Sequence, residues 1–239
     1  MRWTLSEGAE GGKACLVSPP SALIWDVDGT LIDTTALIME ALDFLYRRYF
    51  GRTLPAEELR ALIGIPLKKQ IRVFGELETW GVDEQAITDD FITYYETHRE
   101  RERILTDVVA VLVEGKQRGF PTALVTSKND AELANTLPRL GIAECVDVAV
   151  TADAITHPKP DPEGMRLALL RLDIPPERIR DAIYIGDTVH DMQAARGAGI
   201  RGVGVAWGAA GRERLAAESP AFLCDTPDDL RRVLFDGSC

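Results

Sequence analysis

A chain of 239 residues, 46% of them apolar and 27% charged, can build a sizeable core, as one large domain or a domain with an insert. A formal net charge of -11 argues against a nucleic-acid partner or an anionic membrane surface, which both attract basic proteins. No apolar run approaches the ~20 residues of a membrane span. Cys15, Cys145, Cys224 and Cys239 are scattered, and so are His98, His157 and His190, which excludes a disulfide framework or a Cys/His metal cluster and points to a reducing cytoplasm.

Residues 1–20 are Gly-rich and acidic and lack a continuous apolar stretch, so they read as a loosely ordered extension and not as a secretory signal. Ala22 to Trp25 predicts the first strand. It runs straight into Asp26 and Asp28 within IWDVDGTLID, residues 24–33. Asp-Gly between apolar residues is a hairpin signal. Two carboxylates one residue apart are also what a cation-binding site acting on an anion requires. A calcium loop starting at Asp26 is excluded: its sixth and twelfth positions need Gly and Glu and hold Leu31 and Leu37.

From Thr34 to about Arg103 the pattern is helical. ALIMEALDFLYRRYF has apolar residues at helical spacing, PAEELRALIG carries Pro55 at a helix start, and DEQAITDDFITYYETHRERER continues in that style. The alternating charges of His98 to Arg103 read as a solvated helix face. Residues 34–103 are therefore expected to form an all-α insert.

Beyond it, short apolar strands are expected at Thr122–Val125, Val146–Val150, Ala182–Ile185 and Gly202–Trp207. Helices are expected at Asp130–Leu140, Glu163–Leu172 and Val189–Ala198. Strand–helix alternation of this kind predicts an α/β fold, a Rossmann-like doubly wound parallel sheet made from residues 21–33 and 104–239.

Ligands of such sheets gather at the C-terminal strand ends. Those ends are polar here: Thr126, Ser127 and Lys128 in ALVTSKND, Lys159 in THPKPDP, then Asp187 and Asp191 in AIYIGDTVHD. Singly, each has a plain reading. Asp187-Thr188 reads equally as a helix cap, Asp191 as an exposed acid, Lys159 as a solvated loop residue and Thr126 as a strand-end hydroxyl. Together they place acids, a hydroxyl and a lysine on one sheet edge. GAGIRG, residues 197–202, matches a dinucleotide-binding pattern, but a helix precedes it and a strand follows, so it reads as a helix end and turn.

DVDGTLIDT, LVTSK, HPKPDP and GDTVHDMQAARGAG, in this order between about Ala22 and Trp207, resemble the four motifs of the haloacid-dehalogenase superfamily of phosphotransferases. The helical insert resembles its cap domain. DGTLID followed by IGIPL, Ile63 to Leu67, is most similar to the phosphoglycolate phosphatase and pyrophosphatase branch. The resemblance implies a magnesium-dependent phosphatase acting on a small phosphorylated metabolite through an aspartyl-phosphate. It implies that Asp26 is nucleophile and metal ligand, and that Asp187 is a second metal carboxylate with Asp191 in or near the outer shell. Asp28 would lend the metal its backbone carbonyl and keep its side chain free for proton transfer. Thr126 and Lys159, with Ser127, would hold the phosphoryl oxygens.

In the insert, Gly64, Lys68, Lys69 and Arg72 are candidates to set substrate choice, although the three cations read equally as surface charges. Two departures bear on the substrate. Ser127 stands where that branch commonly has Asn, and LTDVVAVL lacks the glycine often found where the chain re-enters the core. A β-phosphoglucomutase-like isomerase shares all four motifs and remains an alternative. A non-enzymatic phospho-ligand binding protein would be expected to have lost a motif residue. Dehalogenation and phosphonate cleavage fit less well, because those relatives usually lack the acid at Asp28. The oligomeric state stays open.

Overall fold

The computed structural model describes residues 19–64, 67 and 83–236. Most of the expected N-terminal extension, together with Lys68, Lys69 and Arg72, lies outside the described residues.

The centre of the molecule is a six-stranded parallel sheet in the order β5-β4-β1-β6-β7-β8, built from β1 (Leu23–Trp25), β4 (Thr122–Val125), β5 (Val148–Val150), β6 (Ile183–Gly186), β7 (Arg201–Val205) and β8 (Phe222–Cys224). The strand β1 lies in the middle, with Trp25 opposite Leu124 of β4 on one side and Ile185 of β6 on the other. Alternation along β1 divides the core between the two faces. Leu23 and Trp25 pack with Leu112, Leu230 and Phe235, whereas Ile24 packs with Met165, Leu169 and Ala194. Helices cover both faces, so every side chain of β1, β4 and β6 is buried, as their near-continuous apolar sequences require.

The three expected helices after β4 form at Asp130–Leu140, Glu163–Arg171 and Val189–Ala198. The last of these ends at Gly199 with φ 73°, its N–H donating back to Ala195 and Arg196, so GAGIRG is a left-handed helix cap. Four of the five expected strands shift in their bounds, β1 and β6 by one residue and the other two by more. Val146 and Asp147 precede β5 instead of starting it, and β7 stops at Val205 instead of Trp207. β8 was not foreseen. Three residues at a sheet edge carry too little periodicity to stand out, and only pairing with Val203–Val205 defines them.

Residues 34–103 give helices at Thr35–Phe50, Ala56–Leu62 and Glu84–Thr97. Their apolar faces close on a separate cluster that includes Leu42, Leu45, Leu59, Ile87, Phe91 and Tyr95. Asp83 caps the third helix by accepting from the Gln85 N–H at 3.0 Å. Where the chain leaves and re-enters the sheet region, β2 (Ile32–Asp33) pairs antiparallel with β3 (Arg103–Ile104). An Asp33–Arg103 ion pair at 3.1 Å ties the two crossings together. Among the described residues no helix is long and apolar enough to cross a membrane.

Candidate active site

The strand order reverses at β1 and β6: β4 and β5 extend the sheet one way, β7 and β8 the other. A crevice opens at such a point beyond the C-terminal strand ends. Asp26 follows β1 directly, and Asp187 follows β6. Asp191 comes from the first turn of the next helix. Carboxylate oxygens of these three residues lie within 4.8 Å of one another, all buried.

Asp191 is there for a local reason. Thr188 is the helix N-cap and Asp191 its capping-box partner, with Oδ2 accepting from the Thr188 N–H at 2.9 Å and hydroxyl at 2.7 Å. Its other oxygen accepts from Lys159 Nζ at 2.7 Å and from the Tyr184 hydroxyl at 3.0 Å. The helix-cap reading of Thr188 therefore holds, but Asp191 is no exposed acid. Burial works against its charge, yet Lys159 and the Thr188 donors hold it below the usual carboxylate range.

Lys159 is equally removed from solvent. Its ammonium lies 3.0 Å from Asp26 Oδ1 as well as 2.7 Å from Asp191. Burial opposes its charge, but the two acids outweigh it and keep it firmly protonated. One cation is thus shared by two carboxylates, and the third has none. Among the described residues the Asp187 carboxylate receives the Ala209 N–H at 2.7 Å and the Thr30 hydroxyl at 3.3 Å and no ammonium. Burial, then Asp191 and Asp26, push it well above the ordinary value. Burial likewise pushes Asp26 up to about 7 against the pull of Lys159, with Asp191 and Asp28 adding to the rise.

Three buried carboxylates facing one ammonium form an oxygen-only donor set with negative charge to spare. A small hard cation fits it. The chain also makes room for it: Gly29, at φ 77°, and Gly208 approach Asp187 so closely that a Cβ on either would overlap its carboxylate.

The Asp28 carboxylate lies apart from this triad. The sequence left it free, but it forms a 2.9 Å ion pair with Lys128. Lys128 is itself buried, so its ammonium needs a nearby counter-charge. Asp28 lines a cavity of about 90 Å³ together with Asp26, Ser127, Lys128, Glu132 and Gly64, its other wall formed by Ile38, Ile63, Leu67, Phe91 and Tyr95. Thr126, buried at the end of β4, accepts from the Lys128 N–H at 3.2 Å. Ser127, expected at the phosphate, donates its hydroxyl to the Gly64 carbonyl at 3.1 Å and so ties the helical segment to the sheet edge. Gly64, with φ 91°, also packs against Thr188, leaving no space for a side chain.

The structure brings Asp26, Lys159, Asp187 and Asp191 together, places Asp28 with Asp26 in the adjoining cavity, and sets Thr126 at the end of β4. The sequence named Lys128 as a polar strand end without giving it a role, and it passed over Tyr184 and Tyr95. Lys128 stood in the quoted ALVTSKND, and its signal was proximity to a strand end. Tyr184 read only as a strand residue and Tyr95 only as a helix residue.

The chain is similar to known proteins in sequence and fold. The family described as haloacid dehalogenase-like hydrolase matches residues 23–205. Pyrophosphatase PpaX of Bacillus velezensis is 33% identical over 218 residues, covering 89% of this chain and 95% of that protein. Its namesake from Anoxybacillus flavithermus is 32% identical over 223 residues, covering 90% and 96%. The crystal structure of a hydrolase from Pseudomonas syringae superposes with a TM-score of 0.77 at 22% identity, covering 90% of this chain and 98% of that one. At that identity the likeness speaks for the fold.

Proposed function

From the premise that this chain belongs to the haloacid dehalogenase-like hydrolases, we propose that it is a magnesium-dependent phosphatase that hydrolyses a small phosphoester or pyrophosphate through an aspartyl-phosphate. The observation that carries this reading is the triad of Asp26, Asp187 and Asp191, buried with a single shared ammonium.

Asp26 and Asp187 would hold the magnesium ion by their carboxylates and Asp28 by its backbone carbonyl, with Asp191 behind them. When bound, the ion supplies the charge that lets a carboxylate approach a phosphoryl dianion and polarises the phosphorus.

The residues divide the remaining work. An Asp26 oxygen bonds to phosphorus as the bond to the leaving oxygen breaks. The Asp28 carboxyl gives its proton to that oxygen. Lys159 and the Thr126 hydroxyl hold the other phosphoryl oxygens as their charge grows. Asp28 then takes a proton from water while the water oxygen bonds to phosphorus. Asp26 departs as a carboxylate and inorganic phosphate is released. In sum, one ester and one water give one alcohol and one phosphate.

Residues 34–103 act in this reading as a cap over the crevice. The apolar wall from Ile38 to Tyr95 excludes water while the aspartyl-phosphate forms. Lys68, Lys69 and Arg72, outside the described residues, are the cap cations assigned to an anionic leaving group. The PpaX relatives are named pyrophosphatases, which supports this substrate class. The scattered cysteines and acidic charge support a cytoplasmic site of action.

The test is phosphate release from phosphoglycolate, pyrophosphate and other phosphorylated metabolites, with magnesium present and no sugar bisphosphate added. Release at catalytic rates supports hydrolysis. Turnover of a sugar phosphate only when its bisphosphate is supplied, without free phosphate, would identify an isomerase instead.

A further inference from the structure

We propose that Lys128 is the positioning residue of Asp28, linking the orientation of the proton-transfer carboxylate to the seating of the helix Glu84–Thr97. The proposal rests on the role given to Asp28 above and adds the residue that governs it.

Lys128 is held at both ends. Its backbone N–H donates to Thr126 at 3.2 Å and its carbonyl accepts from Ala152 at 2.9 Å, so the main chain is pinned at the sheet edge. Its side chain then crosses to Asp28, with Nζ 2.9 Å from Oδ1, and lies 5.7 Å from the centre of the Tyr95 ring. An ammonium over an aromatic face is attracted to the ring, the more so out of water, and Lys128 is only 7% exposed.

Tyr95 is fixed in turn. Its hydroxyl donates to Glu102 at 2.5 Å, and Glu102 is ion-paired with Arg139 of the helix Asp130–Leu140. A continuous set of contacts thus runs from Asp28 through Lys128 and Tyr95 to Glu102, next to the β3 crossing. The helical segment supplies the ring, and the sheet supplies both charges.

The consequence is chemical. Asp28 follows Asp26 by two residues and lines the same cavity, but its carboxylate pairs with Lys128 and is not one of the three mutually close acids of the triad. Lys128 provides the only ammonium within ion-pair distance of it among the described residues. Without that partner the carboxylate is free to rotate, and proton delivery to a leaving oxygen loses its aim. With the ring withdrawn, Lys128 loses one of its two anchors. Proton transfer by Asp28 is thereby tied to a seated helix.

The test compares kcat/KM for an alkyl phosphate, whose leaving alkoxide needs a proton, with 4-nitrophenyl phosphate, whose phenolate leaves without one. This parameter covers steps only through departure of the leaving group. Lys128→Met is expected to lower the alkyl value by about 10- to 100-fold more than the aryl value, a part of the roughly 10²- to 10⁴-fold that a general acid contributes. Lys128→Arg should restore most of the difference. Tyr95→Leu leaves the buried charge pair in place and should show the same selective loss, smaller in size. Equal losses on both substrates in the Lys128 and Tyr95 variants would overturn the proposal while leaving the Asp28 assignment standing, provided Asp28→Asn remains selective. An unselective Asp28→Asn would instead overturn the assignment of Asp28, and this proposal with it.

Discussion

Lys159 and Asp26 form a buried ion pair, with Nζ 3.0 Å from Oδ1 and each side chain 5% exposed. Because the same ammonium also serves Asp191 at 2.7 Å, it cannot neutralise the crevice. One positive charge stands against three acids, and the imbalance is what makes the site receptive to a cation. It also separates the roles of the three carboxylates. Asp191 is saturated by donors, Asp26 is half-compensated, and Asp187 has the least.

Replacing the attacking oxygen should stop the chemistry without unfolding the chain. Asp26→Asn keeps the shape of the side chain and removes a charge that burial opposes. We expect kcat to fall by about 10⁴-fold or more, with a thermal midpoint no lower than that of the parent. Comparable turnover from a well-folded Asp26→Asn protein would exclude Asp26 as nucleophile.

Stability should depend on pH in opposite ways with and without the cation. In chelated protein, Asp26 is pushed up to about 7 by burial and its acidic neighbours, and Asp187 is also raised. The folded state therefore binds more protons than the unfolded chain above the ordinary aspartate range. Stability falls as pH rises from about 4 through about 7. On the proposed function magnesium binds the ionised site, so its stabilising effect should grow over the same interval, reaching about 2.7 kcal/mol when the ion is at a hundred times its dissociation constant. Thermal melts with EDTA or magnesium across this range check both slopes. A magnesium shift that is absent, or independent of pH, would contradict the assignment of these acids.

Gly29→Ala tests whether backbone closeness shapes the site. The new Cβ would overlap the Asp187 carboxylate at a left-handed position. The conformational cost alone is about 1–2 kcal/mol, and Asp187 must move besides. The expected result is a magnesium affinity at least about tenfold weaker by calorimetry, comparable to the loss of a ligand-orienting group. Gly119→Ala, also at positive φ but with open space around it, should lose stability and keep magnesium affinity. Equal magnesium affinities in the two variants would show that Gly29 matters only for its turn.

Tyr184→Phe isolates a single hydroxyl. It accepts from Lys159 at 3.0 Å, lies 3.0 Å from Asp191 Oδ1 and reaches the Val125 carbonyl at 3.2 Å. Its removal leaves buried charged groups short of a partner, costing about 1–3 kcal/mol in urea unfolding. Lys159 then loses a restraint, and kcat should fall about tenfold. A variant as stable and as active as the parent would show that the hydroxyl is incidental.

The sequence alone determined five of the six strands of the sheet, three of the helices that cover it and the identity of the strand-end residues, because each depends on local pattern. Apolar runs such as ALIW and AIYI specify buried strands wherever they occur, and Asp, Thr or Lys at their ends fall on one edge once the strands are parallel. The covering helices were equally legible: Asp130–Leu140 and Val189–Ala198 carry their own caps and periodicity. Only the tertiary structure decided which charges meet. Lys159 and Asp191 are 32 residues apart, and Lys128 and Asp28 are 100 apart, so no spacing rule links them. Burial removed water as an alternative partner and forced each ammonium onto the nearest carboxylate. That selection paired Asp28 with Lys128, held Asp191 beside Lys159 within the triad, and set Tyr95, which the sequence offers only as one more helix residue, beside Lys128.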